Sequence, residues 1–138
     1  MIDDNKRKAL IEYRIEQANA TISEAEILID HAKYRAAVNR IYYGIFYSLL
    51  ALGNKFHFTT SKHSQLIGWF NKNFVKDKKI DQKYGEILRN AFKAGSKGDY
   101  DAFIDFSKND VLKRLEDMKS FIFAIEQYIL QSDKDYLC

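Results

Sequence analysis

The sequence predicts an all-α protein, a five-helix up-and-down-type bundle forming one domain over residues 1–138, with its core at about 8–130. Its 138 residues contain no proline, and the 6 glycines lie mostly near apparent helix ends. Apolar residues recur at spacings of 3 and 4, the period of an amphipathic helix. A hydrophobic fraction of 46% with 14% aromatic residues excludes a disordered chain. Short connections between the predicted helices complete the pattern of a bundle.

The first two predicted helices form the N-terminal half of the bundle. The first covers about 4–30, and a break at 31–33 separates it from the second, at about 34–52. The core-facing seam of the first helix consists of Ile11, Ile15, Ala18, Ile22, Ala25 and Ile29. The second helix is apolar nearly all round, which is typical of a central helix. Gly53 and Asn54 are expected to end it, because both residue types favour helix C-termini.

A third helix is predicted at about 62–74, after a loop at 54–60, with Thr60 or Ser61 as its N-cap. One face of this helix carries His63, Ile67, Phe70 and Phe74. A solvated connector at 75–79 follows.

The fourth helix, at about 81–94, is expected to end at the glycine-containing run 95–98. Its inward positions are Tyr84, Ile87, Leu88 and Ala91. A capping box at 107–110 starts the last helix, which is predicted to reach about residue 131 before a frayed tail. The core positions of the last helix are Val111, Leu115, Met118, Ile122, Ile125 and Ile129.

Composition excludes several classes of function. The 22 basic and 19 acidic residues give a net charge of +3, which is too balanced to predict nucleic-acid binding from charge alone. The single cysteine, Cys138, excludes an internal disulfide and favours a reducing compartment. No signal-peptide pattern and no apolar run of membrane-spanning length are present, so a cytoplasmic location is expected, without a membrane. No phosphate-binding glycine loop is present, and the three histidines, His31, His57 and His63, lack metal-ligand spacing, so neither a cofactor nor a metal is predicted.

The most informative segment is 39–47, in the middle of the second helix. Arg40, Tyr43 and Tyr47 share one stripe of this helix, and Asn39 lies one turn before Tyr43. Charge is costly to bury alone, so Arg40 must have a partner, a groove or a subunit interface. Two interpretations remain open. With Lys33 and Arg35, the stripe could hold RNA by charge and stacking, or Arg40 could pair with a carboxylate across a dimer seam.

A second, apolar stripe of the same helix carries Tyr42, Phe46 and Leu49, and Tyr42 is expected to be a core residue. His63 is in phase with the apolar face of the third helix. A hydrogen-bonded histidine at the core or its boundary is favoured there over a catalytic one.

Three stretches together give the chain a resemblance to the HEPN family of small prokaryotic helical proteins. The stretch 36–46 is similar to the family pattern N-R-x-Y-Y-x-x-F. The second comprises Lys62-His63-Ser64 with the aromatic run 69–74, and the third is Gly98-Asp99-Tyr100-Asp101. The resemblance covers about residues 8–130.

This resemblance implies a helical bundle that dimerises through its second helix. It also implies one of two activities. Many members are metal-independent ribonucleases, often in toxin–antitoxin modules, and others are non-catalytic partners of a minimal nucleotidyltransferase. The nuclease motif is an arginine and a histidine with four to six residues between them. The residue seven positions after Arg40, where many relatives have histidine, is Tyr47, and Gly95 stands where relatives commonly have arginine.

These departures favour a non-catalytic or degenerate member. We expect a homodimer that binds a minimal nucleotidyltransferase partner, a nucleotide or RNA in the Arg40 groove. The ligand or interface residues would be Asn39, Arg40, Tyr43, Tyr47, Asp99 and Tyr100. The alternative is a metal-independent endoribonuclease whose catalytic residues are Arg40 with Tyr47 or His63.

Overall fold

The computed structural model describes residues 3–97 and 105–137, which form five α-helices and one π-helical turn. The elements are α1 (Asp4–Asp30), α2 (Tyr34–Lys55), α3 (His63–Phe70), the π turn (Asn71–Val75), α4 (Gln82–Lys97) and α5 (Lys108–Leu137). The predicted all-α bundle is therefore confirmed.

Helix α2 lies at the centre of the bundle, as its all-round apolar sequence predicted. Helices α1, α4 and α5 all pack against it. Tyr42, Leu49 and Phe46 of the apolar stripe are 1%, 0% and 5% exposed, which confirms their placement in the core. The seams predicted for α1 and α5 also face this core. Within the described residues, none of the helices combines the length and apolarity that a membrane span requires.

Helix α2 ends three residues later than predicted, and glycine does not end it. Gly53 lies buried inside the helix, where an added Cβ would approach the Phe58 carbonyl oxygen to 2.5 Å. The returning loop can therefore pack closely only against glycine. The chain reverses at His57 instead, which has φ 63°, and the Phe58 N–H donates to the Gly53 carbonyl at 2.8 Å. This is the Schellman arrangement built on a non-glycine residue.

Two further helix ends have the same design. Ala32 after α1 and Lys78 after the π turn have φ 57° and 60°. The N–H of the following residue in each case donates to the carbonyl five positions earlier, Lys33 to Leu28 at 2.8 Å and Lys79 to Phe74 at 2.9 Å. The predicted break at 31–33 is thus confirmed.

The third helix matches its predicted span, but its cap was predicted wrongly. The N-cap residue is Lys62, without a side-chain bond, and Thr60 stabilises the preceding loop. The Thr60 Oγ1 accepts from the Lys62 N–H at 3.1 Å and donates to Gln65. The helix continues through the π turn to Val75. In the loop before it, Phe58 stacks in parallel on Trp69, with ring centroids 4.9 Å apart.

Helices α4 and α5 both extend beyond their predicted ends. Gly95 lies inside α4, and α5 continues to Leu137 where a frayed tail was expected. An ion pair between Lys55 and Asp133 holds this last part of α5 against the end of α2. The start of α5 was predicted correctly, since the Ser107 Oγ accepts from the Asp110 N–H at 3.1 Å.

Candidate functional site

Arg40, Tyr43 and Tyr47 form one continuous surface on α2, called here the Arg40 surface. The Arg40 Cζ lies 5.0 Å from the centroid of the Tyr43 ring, in cation–π contact. The Tyr43 and Tyr47 ring centroids are 6.1 Å apart. All three side chains are half-buried. The shared stripe that the spacing predicted is therefore present.

The charge of Arg40 is balanced within the chain. Its Nη1 lies 3.6 Å from Oε1 of Glu24 on α1, and the two side chains are 31% and 53% exposed. An ion pair this long and this exposed contributes only about 0–1 kcal/mol. A phosphate group could therefore displace Glu24 from Arg40 at little cost, because a guanidinium binds phosphate by paired hydrogen bonds.

His63 packs directly beside this surface, at the first turn of α3. Its ring stacks on Phe46 with centroids 3.8 Å apart and meets Tyr43 edge-on at 6.0 Å. The Arg40 guanidinium and the His63 imidazole thus both contact the Tyr43 ring. Because His63 is half-buried and hydrogen-bonded, the predicted boundary position is confirmed.

A hydrogen bond joins the His63 Nδ1 to the hydroxyl of Tyr42, which is 1% exposed. Burial, and secondarily the neighbouring Tyr43, raises the pKa of the Tyr42 hydroxyl. The phenol therefore stays neutral and can accept or donate this bond. Burial lowers the pKa of His63, which favours a neutral imidazole at neutral pH.

The second nitrogen of His63, Nε2, takes no part in the bond to Tyr42. Its Nε2 has no hydrogen-bond partner among the described residues, and none of their buried side-chain nitrogen or oxygen atoms lacks a partner. It follows that Nε2 is not buried. A neutral, oriented imidazole with one accessible nitrogen can exchange a proton with a bound group.

Asn39 makes a contact between two helices. The Asn39 Nδ2 donates to the Gly95 carbonyl at 3.3 Å and so ties α2 to α4. Asp99 and Tyr100 lie outside the described residues.

Sequence reasoning did not identify Glu24 as the partner of Arg40 or Tyr42 as the partner of His63. Glu24 meets Arg40 only through the register of the α1–α2 hairpin, and no local pattern encodes that register. Tyr42 was predicted only to be a core residue. Among the described residues, no group of three histidine, cysteine, aspartate or glutamate side chains could hold a metal ion.

The matches to known proteins cover nearly the whole chain. The HEPN domain model matches residues 11–128. A UPF0332 protein of Thermotoga maritima is 32% identical over 125 residues, which cover 91% of this chain and 95% of the relative. The candidate toxin MJ0142 of Methanocaldococcus jannaschii is 29% identical over 126 residues, 91% of this chain and 86% of the relative. A second candidate toxin of the same organism, MJ0605, is 37% identical over 90 residues, 65% of this chain and 67% of the relative.

Proposed function

This chain belongs to the HEPN domain family, and we propose that it forms a homodimer that binds RNA or a nucleotide at the Arg40 surface. One observation carries the proposal: the Arg40 guanidinium is accessible, lies against the Tyr43 ring and is only weakly paired with Glu24. A guanidinium beside aromatic rings suits a phosphate with an adjacent base, because the cation binds the phosphate and the rings stack on the base.

The homodimer would bring two Arg40 surfaces together. Tyrosine and arginine are the residue types enriched at the centre of protein interfaces, and Tyr43 and Tyr47 retain exposed ring area in the single chain. Two copies facing each other would form a groove with an Arg40 and a His63 from each. A minimal nucleotidyltransferase is the protein partner proposed for this homodimer, on the strength of the family resemblance.

A second candidate function is metal-independent RNA cleavage, which the position of His63 favours. The motif histidine is missing at Tyr47, but His63 supplies an imidazole beside the same Tyr43 ring. The two archaeal relatives named as candidate toxins are consistent with an activity of this kind.

The chemistry can be assigned atom by atom. The His63 Nδ1–H donates to the Tyr42 oxygen, which leaves the Nε2 lone pair free to take the proton of an RNA 2′-hydroxyl. The 2′ oxygen attacks the adjacent phosphorus, and Arg40 stabilises the negative charge of the phosphorane. The bond to the 5′ oxygen breaks, and that oxygen takes the proton that His63 accepted from the 2′-hydroxyl. The products are a 2′,3′-cyclic phosphate and a 5′-hydroxyl.

The deciding experiment is incubation of purified protein with mixed cellular RNA in EDTA. Parallel samples contain Arg40→Ala, His63→Gln and, as a matched control, His31→Gln at the exposed end of α1. Cleavage lost in the first two variants and retained in the third would establish the nuclease. Intact RNA in every sample, with Arg40-dependent binding of the same RNA, would establish the binding function instead. RNA that is neither bound nor cleaved would contradict both.

A further inference from the structure

A cleft of about 910 Å³ lies between the connector after α3 and the first turns of α4. Its floor is apolar, with Ile67, Val75 and Phe92, and its walls carry Lys76, Lys78 and Arg89. It is called here the Lys76–Arg89 cleft. None of the residues of the Arg40 surface lines it.

The part of the chain around this cleft is strongly basic. Residues 71–97 contain eight lysines and arginines and three acidic residues, so this segment carries a charge of +5. The whole chain carries +3, and the remainder is therefore slightly acidic. The balanced overall composition thus conceals a local positive patch, the feature expected of a nucleic-acid contact surface.

The basic side chains of the cleft do not stabilise the described part of the fold through ion pairs. Lys76, Lys78 and Arg89 make no ion pair with any described residue, whereas basic residues elsewhere do, including Lys55 and Arg114. Two carboxylates also line the cleft. Asp81 caps α4 by accepting from the Lys83 N–H at 2.9 Å, and Glu86 is exposed on the wall. The three cations exceed these two carboxylates, so the lining of the cleft carries a net charge of +1.

The cleft adjoins the His63 site through two residues. Ile67 lies one helical turn beyond His63 on α3. The Phe92 ring, at the cleft floor, contacts the Tyr42 ring with centroids 5.7 Å apart, and Tyr42 bonds His63. A ligand longer than one nucleotide could therefore extend from His63 along the edge of α3 into the cleft.

We propose that the Lys76–Arg89 cleft binds a segment of single-stranded RNA whose neighbouring nucleotide occupies the Arg40 surface. This proposal rests on the function proposed above and names its substrate as a single strand. The repeating phosphates of a strand satisfy several separated cations, and the apolar floor accommodates base or sugar faces. A mononucleotide would occupy one of the two places and leave the other empty.

The test measures binding of a fluorescein-labelled, 2′-O-methylated RNA strand of about 20 nucleotides by anisotropy, since this backbone cannot be cleaved through its 2′ oxygen. The cleft variant is Lys76→Gln/Arg89→Gln, and the control is Lys6→Gln/Lys8→Gln. Both variants remove two positive charges, and the control positions are exposed on α1, which packs on α2 and α5 away from the cleft.

We expect the cleft variant to bind about tenfold or more weakly and the control to bind like the wild type. The slope of log affinity against log salt should become shallower by about 1.4 in the cleft variant, because two phosphate contacts are lost. As a gain-of-function arm, Glu86→Lys should strengthen binding. Equal affinities and salt slopes in the cleft variant and the control would overturn the cleft as an RNA site.

An Arg40→Ala arm separates this proposal from the function proposed above. Weak binding by Arg40→Ala together with wild-type binding by the cleft variant would support the Arg40 surface as an RNA site and contradict the cleft. Weak binding by the cleft variant together with wild-type binding by Arg40→Ala would support the cleft and contradict the Arg40 surface. A wild-type protein that does not bind the strand at low salt would overturn both.

Discussion

At the scale of single residues, the bond between Tyr42 and His63 links the core to the accessible surface. Tyr42 is almost fully buried, yet its hydroxyl holds the one nitrogen of His63 that faces inward. The stack on Phe46 fixes the plane of the imidazole. A side chain held by both a hydrogen bond and a ring contact has lost most of its rotational freedom, which is the condition for directed proton transfer.

The lowered pKa of His63 predicts how stability depends on pH. The unfolded chain takes up a proton at His63 near pH 6.5, whereas the folded protein does so only at lower pH. The free energy of unfolding should therefore fall as pH decreases below 6.5, and this component should be present in full above that value. Urea denaturation at about pH 7.5 and 5.5 should show a larger loss for the wild type than for His63→Gln. Identical losses in the two proteins would contradict the prediction.

Gly95 should be intolerant of any side chain. A Cβ at this position would lie 2.3 Å from the Cβ of Tyr42 and 2.9 Å from its Cγ, and neither atom belongs to a flexible chain end. We expect Gly95→Ala to lower the free energy of unfolding by about 1–3 kcal/mol. The matched change Gly68→Ala meets nothing within 4 Å and should stabilise α3 by up to about 1 kcal/mol.

Thermal unfolding of the two alanine variants tests this prediction, because the change in stability should have opposite signs at the two sites. A neutral Gly95→Ala would mean that α4 can shift away from Tyr42.

At the scale of elements, the sequence was enough to predict which segments form helices, but not where several of those helices end. The 3–4 spacing of apolar residues located all five helices, and Ser107 marked the start of α5. Glycines at 53 and 95 were interpreted as stop signals, but tertiary contacts require them there, with the Phe58 carbonyl and with Tyr42. The residues that reverse the chain, His57 among them, have side chains that give no local signal for positive φ.

The helix end at Lys78 yields a stability prediction. A non-glycine residue at positive φ costs about 1–2 kcal/mol relative to its preferred conformations, and glycine avoids most of that cost. Lys78→Gly should therefore raise the free energy of unfolding by about 0.5–1 kcal/mol. Lys76→Gly, at a residue with helical φ −64°, should lower it by about 1 kcal/mol. Denaturant titration measures the change in the free energy of unfolding for both variants. If the conformation at Lys78 did not matter, this change would have the same sign in both.

At the scale of the whole molecule, part of the site could be predicted and part depended on tertiary structure. The α2 stripe follows from residue spacing alone, and so does the proximity of Arg40 to Tyr43. The approach of His63 depends on how the loop at 56–62 returns α3 to α2, and the partner of Arg40 depends on the α1–α2 register. Neither is a local property of the sequence.

The proposed homodimer gives a prediction at this scale. If two Arg40 surfaces meet, Arg40→Glu should convert a dimer to a monomer, because it places like charges beside Glu24 in both copies. Lys8→Glu makes the same change in net charge at an exposed position on α1 and should leave the dimer intact. Sedimentation velocity at micromolar concentrations distinguishes the species. A monomeric wild type over that range would contradict the homodimer.

The parallel stack of Phe58 on Trp69 has a spectroscopic consequence. Trp69 is the chain's single tryptophan, so its emission reports one location, the contact between the loop after α2 and helix α3. It lies two residues beyond Ile67 at the floor of the basic cleft and contacts Phe74 as well. Intrinsic fluorescence therefore follows the docking of α3, the helix that carries His63, without any label on the protein.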